Sequence, residues 1–229
     1  MKILTFLLGS FFFSLSLIGQ DEVIVLESFN RLSAAGGFYI TIYEGTPKAE
    51  ITVHRGKFEN IQMEVRKGEL EIKYNQGKWG WNSGNHKIDI DLYVTNLEAI
   101  STAAGTSVYG EFTLSAPEFT ADASSGSSIS VEVMADEVEV DISSGATVEL
   151  EGNTKELSVD ISSGASFNGK KLEASIVDAD ASSGASAKVW ATKSLSADVS
   201  SGASIKYRGE PKELDLDSGK WSGGSIRKM

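Results

Sequence analysis

Asp141-Ile-Ser-Ser-Gly145-Ala-Thr147 is one copy of a phrase that recurs through the second half of the chain. The other copies are Asp122-Ala-Ser-Ser-Gly126-Ser-Ser128, Asp160-Ile-Ser-Ser-Gly164-Ala-Ser166, Asp180-Ala-Ser-Ser-Gly184-Ala-Ser186 and Asp198-Val-Ser-Ser-Gly202-Ala-Ser204. A degenerate copy, Thr102-Ala-Ala-Gly105-Thr-Ser107, precedes them, and a truncated one, Asp217-Ser-Gly219, follows. The glycines are 21, 19, 19, 20, 18 and 17 residues apart. A period near 19 without helical spacing predicts a β-solenoid of ~19-residue coils.

Between the glycines, apolar residues alternate with polar ones. Around Gly145, Val138, Val140 and Ile142 share one parity, and Glu139, Asp141 and Ser143 the other; beyond the corner the apolar parity resumes at Ala146, Val148 and Leu150. Period two is the pattern of strands with one buried face. A second corner, Gly152-Asn-Thr-Lys-Glu156, leads to Leu157, Val159 and Ile161, which open the next coil. Each repeat thus supplies two short strands and two corners, and successive coils stack as parallel strands ~4.8 Å apart on a shared core. Glycine suits the first corner because it takes left-handed conformations without a side-chain clash, and serine hydroxyls beside it satisfy turn amides. The first inward position after each corner is small, at Ser127, Ala146, Ala165, Ala185 and Ala203, which predicts converging walls. Before Gly184 the 20-residue interval sets Leu172, Ala174 and Ile176 out of phase with Ala179 and Ala181, predicting a one-residue bulge within 175–178.

Outward from this block, residues 20–98 read as less regular β structure and 99–229 as the regular coils, together one domain over 20–229. Strands are expected at Phe38-Ile40-Ile42, Ile51-Val53, Met63-Val65, Leu70-Ile72-Tyr74 and Ile88-Ile90-Leu92-Val94. No Pro/Ser-rich linker separates the two parts, so the first is expected to cap or begin the solenoid, with Trp221 and Arg227-Lys228 placed to cover the other end. Residues 1–19 read as a secretory signal: Lys2, an apolar run too short for a comfortable membrane span, then small residues before Gln20. The signal takes one of the 21 basic residues with it and none of the 32 acidic ones, so the mature chain carries −12. Such a charge excludes nucleic acid as a natural partner. The absence of cysteine excludes disulfides, thiolate metal sites, a cysteine nucleophile and a lipidated N-terminus. No apolar stretch of the mature sequence is long enough for a transmembrane helix, which places it in the periplasm, at the cell surface or outside the cell.

Several stretches carry a resemblance that covers essentially the whole mature chain. They are a leader ending in Gly-Gln, the opening Phe29-Asn-Arg-Leu-Ser-Ala-Ala-Gly-Gly-Phe-Tyr-Ile-Thr-Ile-Tyr-Glu-Gly45, the strand Gly68-Glu-Leu-Glu-Ile-Lys73, the Ser-Gly-Ala-Ser coils and the ending Gly223-Gly-Ser-Ile-Arg-Lys228. In these the chain resembles the putative auto-transporter adhesin, head GIN domain family of secreted proteins from Bacteroidetes-type bacteria. The resemblance implies a right-handed parallel β-helix outside the cytoplasm and brings no catalytic motif with it.

Candidate sites are few. Asp122, Asp141, Asp160, Asp180 and Asp198 would stack as a carboxylate ladder, which water, lysines or a hard cation such as calcium could screen. The Gly-Gly-x-Gly-x-Asp phrase of calcium-binding nonapeptide repeats is absent, so no metal site is assigned. Serine columns at 124/143/162/182/200 and 125/144/163/183/201 read as turn hydroxyls rather than an ice-binding array, since Asp interrupts them. In the loop Asn75-Gln-Gly-Lys-Trp79-Gly-Trp81-Asn-Ser-Gly-Asn-His86-Lys87, Trp79, Trp81 and His86 are the ligand-binding candidates: flat apolar rings with hydrogen-bonding groups around them suit a sugar or a protein partner. The alternative is a hairpin connection whose tryptophans cover core. Neither His54 nor His86 lies in a metal-ligand pair or beside a nucleophile elbow, and Glu149/Glu151 and Asp178/Asp180 fall on solvent-facing positions. No catalytic residue and no cofactor is therefore assigned. The expected function is non-enzymatic: an adhesin or interaction module of the cell envelope that binds protein or glycan. A carbohydrate-active β-helix enzyme and a purely structural envelope component are the alternatives, and the oligomeric state is open.

Overall fold

The computed structural model describes residues 20–75, 87–219 and 223–229. The leader at 1–19, the candidates Trp79, Trp81 and His86, and Trp221 lie outside the described residues. The fold is an all-β solenoid. Its regular part consists of β9 (Ser107–Ala123), β10 (Ser128–Ile142), β11 (Thr147–Ile161), β12 (Ser166–Ala181) and β13 (Ser186–Val199), each pairing in parallel with the next. Every inward apolar position named above between Val138 and Ile161 is buried. In mid-strand two solvent-accessible residues follow one another, Asp136-Glu137 in β10 and Lys155-Glu156 in β11, and the parity changes as the chain turns from one wall to the other.

The Ser-Ser-Gly corner is a two-residue turn with positive φ at both central positions, the requirement of a type I′ turn. Ser163 has φ +54° and Gly164 +70°, and the Ala165 amide donates to the Ser162 carbonyl at 3.1 Å. The turns also bond to one another: the Gly164 amide donates to the Ser183 carbonyl of the following coil at 3.0 Å, and Gly126, Gly145 and Gly184 make the same bond. The small residues that follow each corner are fully buried, as converging walls require. The long coil holds its extra residue between Asn168 and Lys171, where the register against β11 shifts by one. The expected site at 175–178 is corrected: from Lys171 onward the register with β11 is constant, and the parity change at Ser175-Ile176 is the second corner that the neighbouring coils also make.

The first part of the chain is woven into the stack out of order. β2 (Arg31–Ala35) and β3 (Tyr39–Glu44) form a coil against β8 (Ala99–Ala103) and β9. The next coil outward is β6 (Glu69–Tyr74) with β7 (Lys87–Val94), whose pairing with β2 and β3 is also parallel. Antiparallel strands then cover that end: β4 (Lys48–Arg55) on β7, β1 (Gln20–Val25) on β4, and β5 (Ile61–Arg66) on β6, with a single 3-10 turn at Phe58–Asn60 between them. The described strands β1 to β7 thus supply the first coils of the stack and the antiparallel cover on its end.

At the opposite end β14 (Ser204–Arg208) and β15 (Glu213–Asp217) continue the two walls from β13, and β16 (Ser225–Lys228) adds one strand to β14. Arg227 and Lys228 therefore extend a wall instead of covering the end. Leu214 and Leu216, in register with buried Leu195 and Ala197, stay 50% and 41% exposed.

Candidate functional site

Two outer faces result. One bears the strand positions that lead into the Ser-Ser-Gly corner. Asp122, Asp141, Asp160, Asp180, Asp198 and Asp217 stand there in unbroken register, one longer than the ladder expected from the intact repeats. Burial raises the Asp141 and Asp180 carboxyls above the ordinary aspartate range, and the flanking aspartates add to it. An open groove of about 470 Å³ runs along this column past Ser33, Ser101, Asp122, Asp141 and Asp160, with the Ser101 hydroxyl donating to Asp122 at 2.9 Å. Neither lysine nor arginine lines it. Among the described residues no group of three or more carboxylates or imidazoles is arranged to hold a metal ion.

The other face carries the residues after the corner, and its N-terminal portion concentrates aromatic and hydrogen-bonding side chains. Ile40 and Ile42 of β3 point inward and are buried, so Tyr39, Thr41 and Tyr43 point outward. Register places Asp89 beside Tyr39, Asp91 beside Thr41 and Tyr93 beside Tyr43, with Thr52, Glu50 and Lys48 on β4 completing the rows. Tyr109, opposite Thr41 on β9, is a diagonal neighbour of Tyr39; the two rings are 52% and 55% exposed. Tyr43 and Tyr93 stack at 5.3 Å, and the Lys48 ammonium sits 4.1 Å from the Tyr93 ring centre while bonding Glu50 at 2.6 Å.

His54 joins this face through a bulge. Val53 pairs with Ile88 and Arg55 with Lys87, leaving His54 as the extra residue, and a bulge re-aims the side chain it carries. Its Nε2 lies 2.7 Å from Asp89. Tyr39, Thr41, Thr52, His54, Asp89 and Asp91, with Lys87, line a shallow concavity of about 570 Å³. Burial, then Glu50 and Asp89, raise the Asp91 carboxyl; burial, then Asp91 and Glu111, raise the Tyr43 phenol.

The arrangement suits binding more than bond cleavage. It offers open aromatic faces, carboxylate acceptors and imidazole or ammonium donors on a flat sheet, the combination that meets a sugar's apolar ring face and its hydroxyls. The outward parity of Tyr39, Tyr43 and Tyr93 was readable from the alternation. What the sequence did not disclose is that β7 inserts between β3 and β4, which brings Asp89, Asp91 and His54 to the tyrosines. Lys87, one of its lining residues, follows in sequence the stretch holding Trp79, Trp81 and His86, which lies outside the described residues. Among the described residues no helix is long and apolar enough to cross a membrane.

Comparison with known proteins follows the same architecture. The sequence matches the family described as "Putative auto-transporter adhesin, head GIN domain" over residues 28–211. A crystal structure of a putative adhesin from Bacteroides fragilis superposes with a TM-score of 0.83 at 21% identity, covering 93% of this chain and 98% of that one. A putative adhesin from Parabacteroides merdae gives 0.69 at 17% identity, covering 92% and 95%. A putative lipid binding protein from Parabacteroides distasonis gives 0.66 at 16%, covering 92% and 96%. These likenesses are in fold. No curated protein matches the sequence. With the match spanning most of its length, this chain belongs to the putative auto-transporter adhesin, head GIN domain family.

Proposed function

We propose that the protein is an exported, non-enzymatic interaction module of the cell envelope that binds a glycan on its tyrosine face. The observation that carries this reading is the pair of open rings, Tyr39 and Tyr109, more than half exposed on outward strand positions beside Asp89, Asp91 and His54. Sheet-borne aromatic side chains are held by their strands, so little entropy is lost when a ring of matching shape stacks on them. The adhesin description of the family agrees with a recognition role. The enzyme alternative would be favoured by a cleft of convergent carboxylates with lysine or arginine beside them; the aspartate groove has the carboxylates, and neither cation is among its lining residues.

A glycan-array screen of the purified protein, followed by titration of the best ligand, tests the reading. Tyr39→Ala with Tyr109→Ala is expected to lower affinity by about tenfold or more while leaving the melting curve in place. Trp79→Ala with Trp81→Ala is run separately, because these tryptophans are the candidates drawn from the sequence. Loss confined to the tryptophan variant would move the site to that loop, and undiminished binding in both would overturn it.

A further inference from the structure

The outward column that begins with Glu50 and Asp91 changes sign along the solenoid and ends in Lys188, Lys206 and Arg227, each in register with the next. Like charges ~4.8 Å apart repel one another. Neighbouring cations are paired, Lys171 with Glu151 and Lys228 with Glu210, yet among the described residues no carboxylate pairs with any of these three. In a chain of net charge −11, a bare cationic ladder is out of keeping with its surroundings. The aspartate column stands on the opposite face, and salt screens charges beyond about 8 Å, so it does little to offset these three cations.

The flanking columns add recognition chemistry. On one side Ser186, Ser204 and Ser225 stand in register, with the Ser204 hydroxyl 3.4 Å from that of Ser186. On the other, the Arg208 guanidinium lies 4.0 Å from the Trp190 ring centre and donates to the Lys170 carbonyl at 3.1 Å. The ring contact and that bond hold the guanidinium in place, and the residue is exposed, so its remaining N–H groups are open to an anion.

We propose that this end of the face binds an anionic polysaccharide. Lys188, Lys206 and Arg227 neutralise successive acidic groups, the serine column meets sugar hydroxyls, and Arg208 takes a carboxylate or sulfate. A single-stranded nucleic acid would need open aromatic faces for its bases, and Arg208 occupies that of Trp190. A membrane surface would need a broad apolar face beside the cations, whereas one flank is a serine column and the other holds Trp190 under Arg208, with Met229 its exposed apolar side chain. The site lies at the other end of the sheet from the tyrosines and does not depend on the reading given to them.

Binding of the purified protein to polygalacturonate, which bears carboxylates, and to dextran sulfate tests the proposal. Fully methyl-esterified polygalacturonate, duplex DNA and vesicles containing phosphatidylserine are the comparators. At least one polyanion is expected to bind and the esterified polymer not to. Lys188→Gln, Lys206→Gln and Arg227→Gln together should weaken binding by about tenfold or more and flatten the dependence of log affinity on log salt by about two, with the melting curve unchanged. Lys188→Arg with Lys206→Arg should keep binding, as should Tyr39→Ala with Tyr109→Ala, which separates this site from the tyrosine face. Absence of binding to both polyanions, equal binding of the esterified polymer, equal or tighter binding to DNA or vesicles, or full affinity in the glutamine variant would each overturn it.

Discussion

At each Ser-Ser-Gly corner two residues share a left-handed turn, and only one of them is glycine. Ser125, Ser144, Ser163, Ser183 and Ser201 have φ between +49° and +54°, a conformation that costs a residue with a Cβ about 1–2 kcal/mol. The stacked turns hold it there, since each of these serines offers its carbonyl to the glycine amide of the preceding coil. The glycines themselves are required for two different reasons. A Cβ on Gly145 would meet nothing within 4 Å, so Gly145→Ala is limited to the backbone penalty of φ +71°, about 1–2 kcal/mol. At the second corner a Cβ on Gly152 would lie 2.0 Å from the Val133 carbonyl oxygen, which forces the backbone apart in addition to φ +111°. Chemical denaturation should find Gly152→Ala more destabilising than Gly145→Ala by more than about 2 kcal/mol. Equal losses would refute the steric account of the second corner.

Strands add a like-charge column to each coil, and the aspartate ladder has a pH dependence whose sign follows from its raised carboxyls. A group whose pKa is higher folded than unfolded keeps its proton longer in the fold. The cost of burying the charge, and after it the repulsion between neighbours, is therefore absent below the unfolded value and grows as pH rises through the folded one. Acidification from neutral pH to about pH 4.5 should accordingly raise the melting temperature of the wild type, before carboxylates with depressed values, such as Glu64 beside Arg66, lose their partners. Asp141→Asn with Asp180→Asn should melt higher than the wild type at neutral pH and show a smaller gain on acidification. The ladder was legible in the sequence, because identical spacing means identical register. The position of the extra residue at 168–171 was not: Gly169 is buried, and a residue without a side chain leaves the alternation silent where the slip occurs.

Across the whole molecule the two ends differ. Antiparallel strands β1, β4 and β5 close the first, whereas Leu214 and Leu216 remain on the core parity yet exposed at the second. In a stack stabilised by nearest-neighbour contacts, the coil with a neighbour on one side only opens most readily. Amide hydrogen exchange should show protection falling from β11 and β12 to β15 and β16. Protection as strong in β15 as in β11 would mean that the exposed end is covered in solution.

The sequence by itself determined the solenoid, the two-corner coil, the buried parity and the aspartate column, because a repeat of nearly constant length specifies its own neighbours and each position sees its copy one strand away. Tertiary structure alone decided which strands of residues 20–98 meet. β3, β4 and β7 share no repeat: β7 adds to β3 in parallel and β4 closes over β7 antiparallel, a long-range choice that local alternation does not encode. That choice assembles Tyr39, Tyr109, His54, Asp89 and Asp91 on one surface, which is why the coils could be read from the chain and the tyrosine face could not.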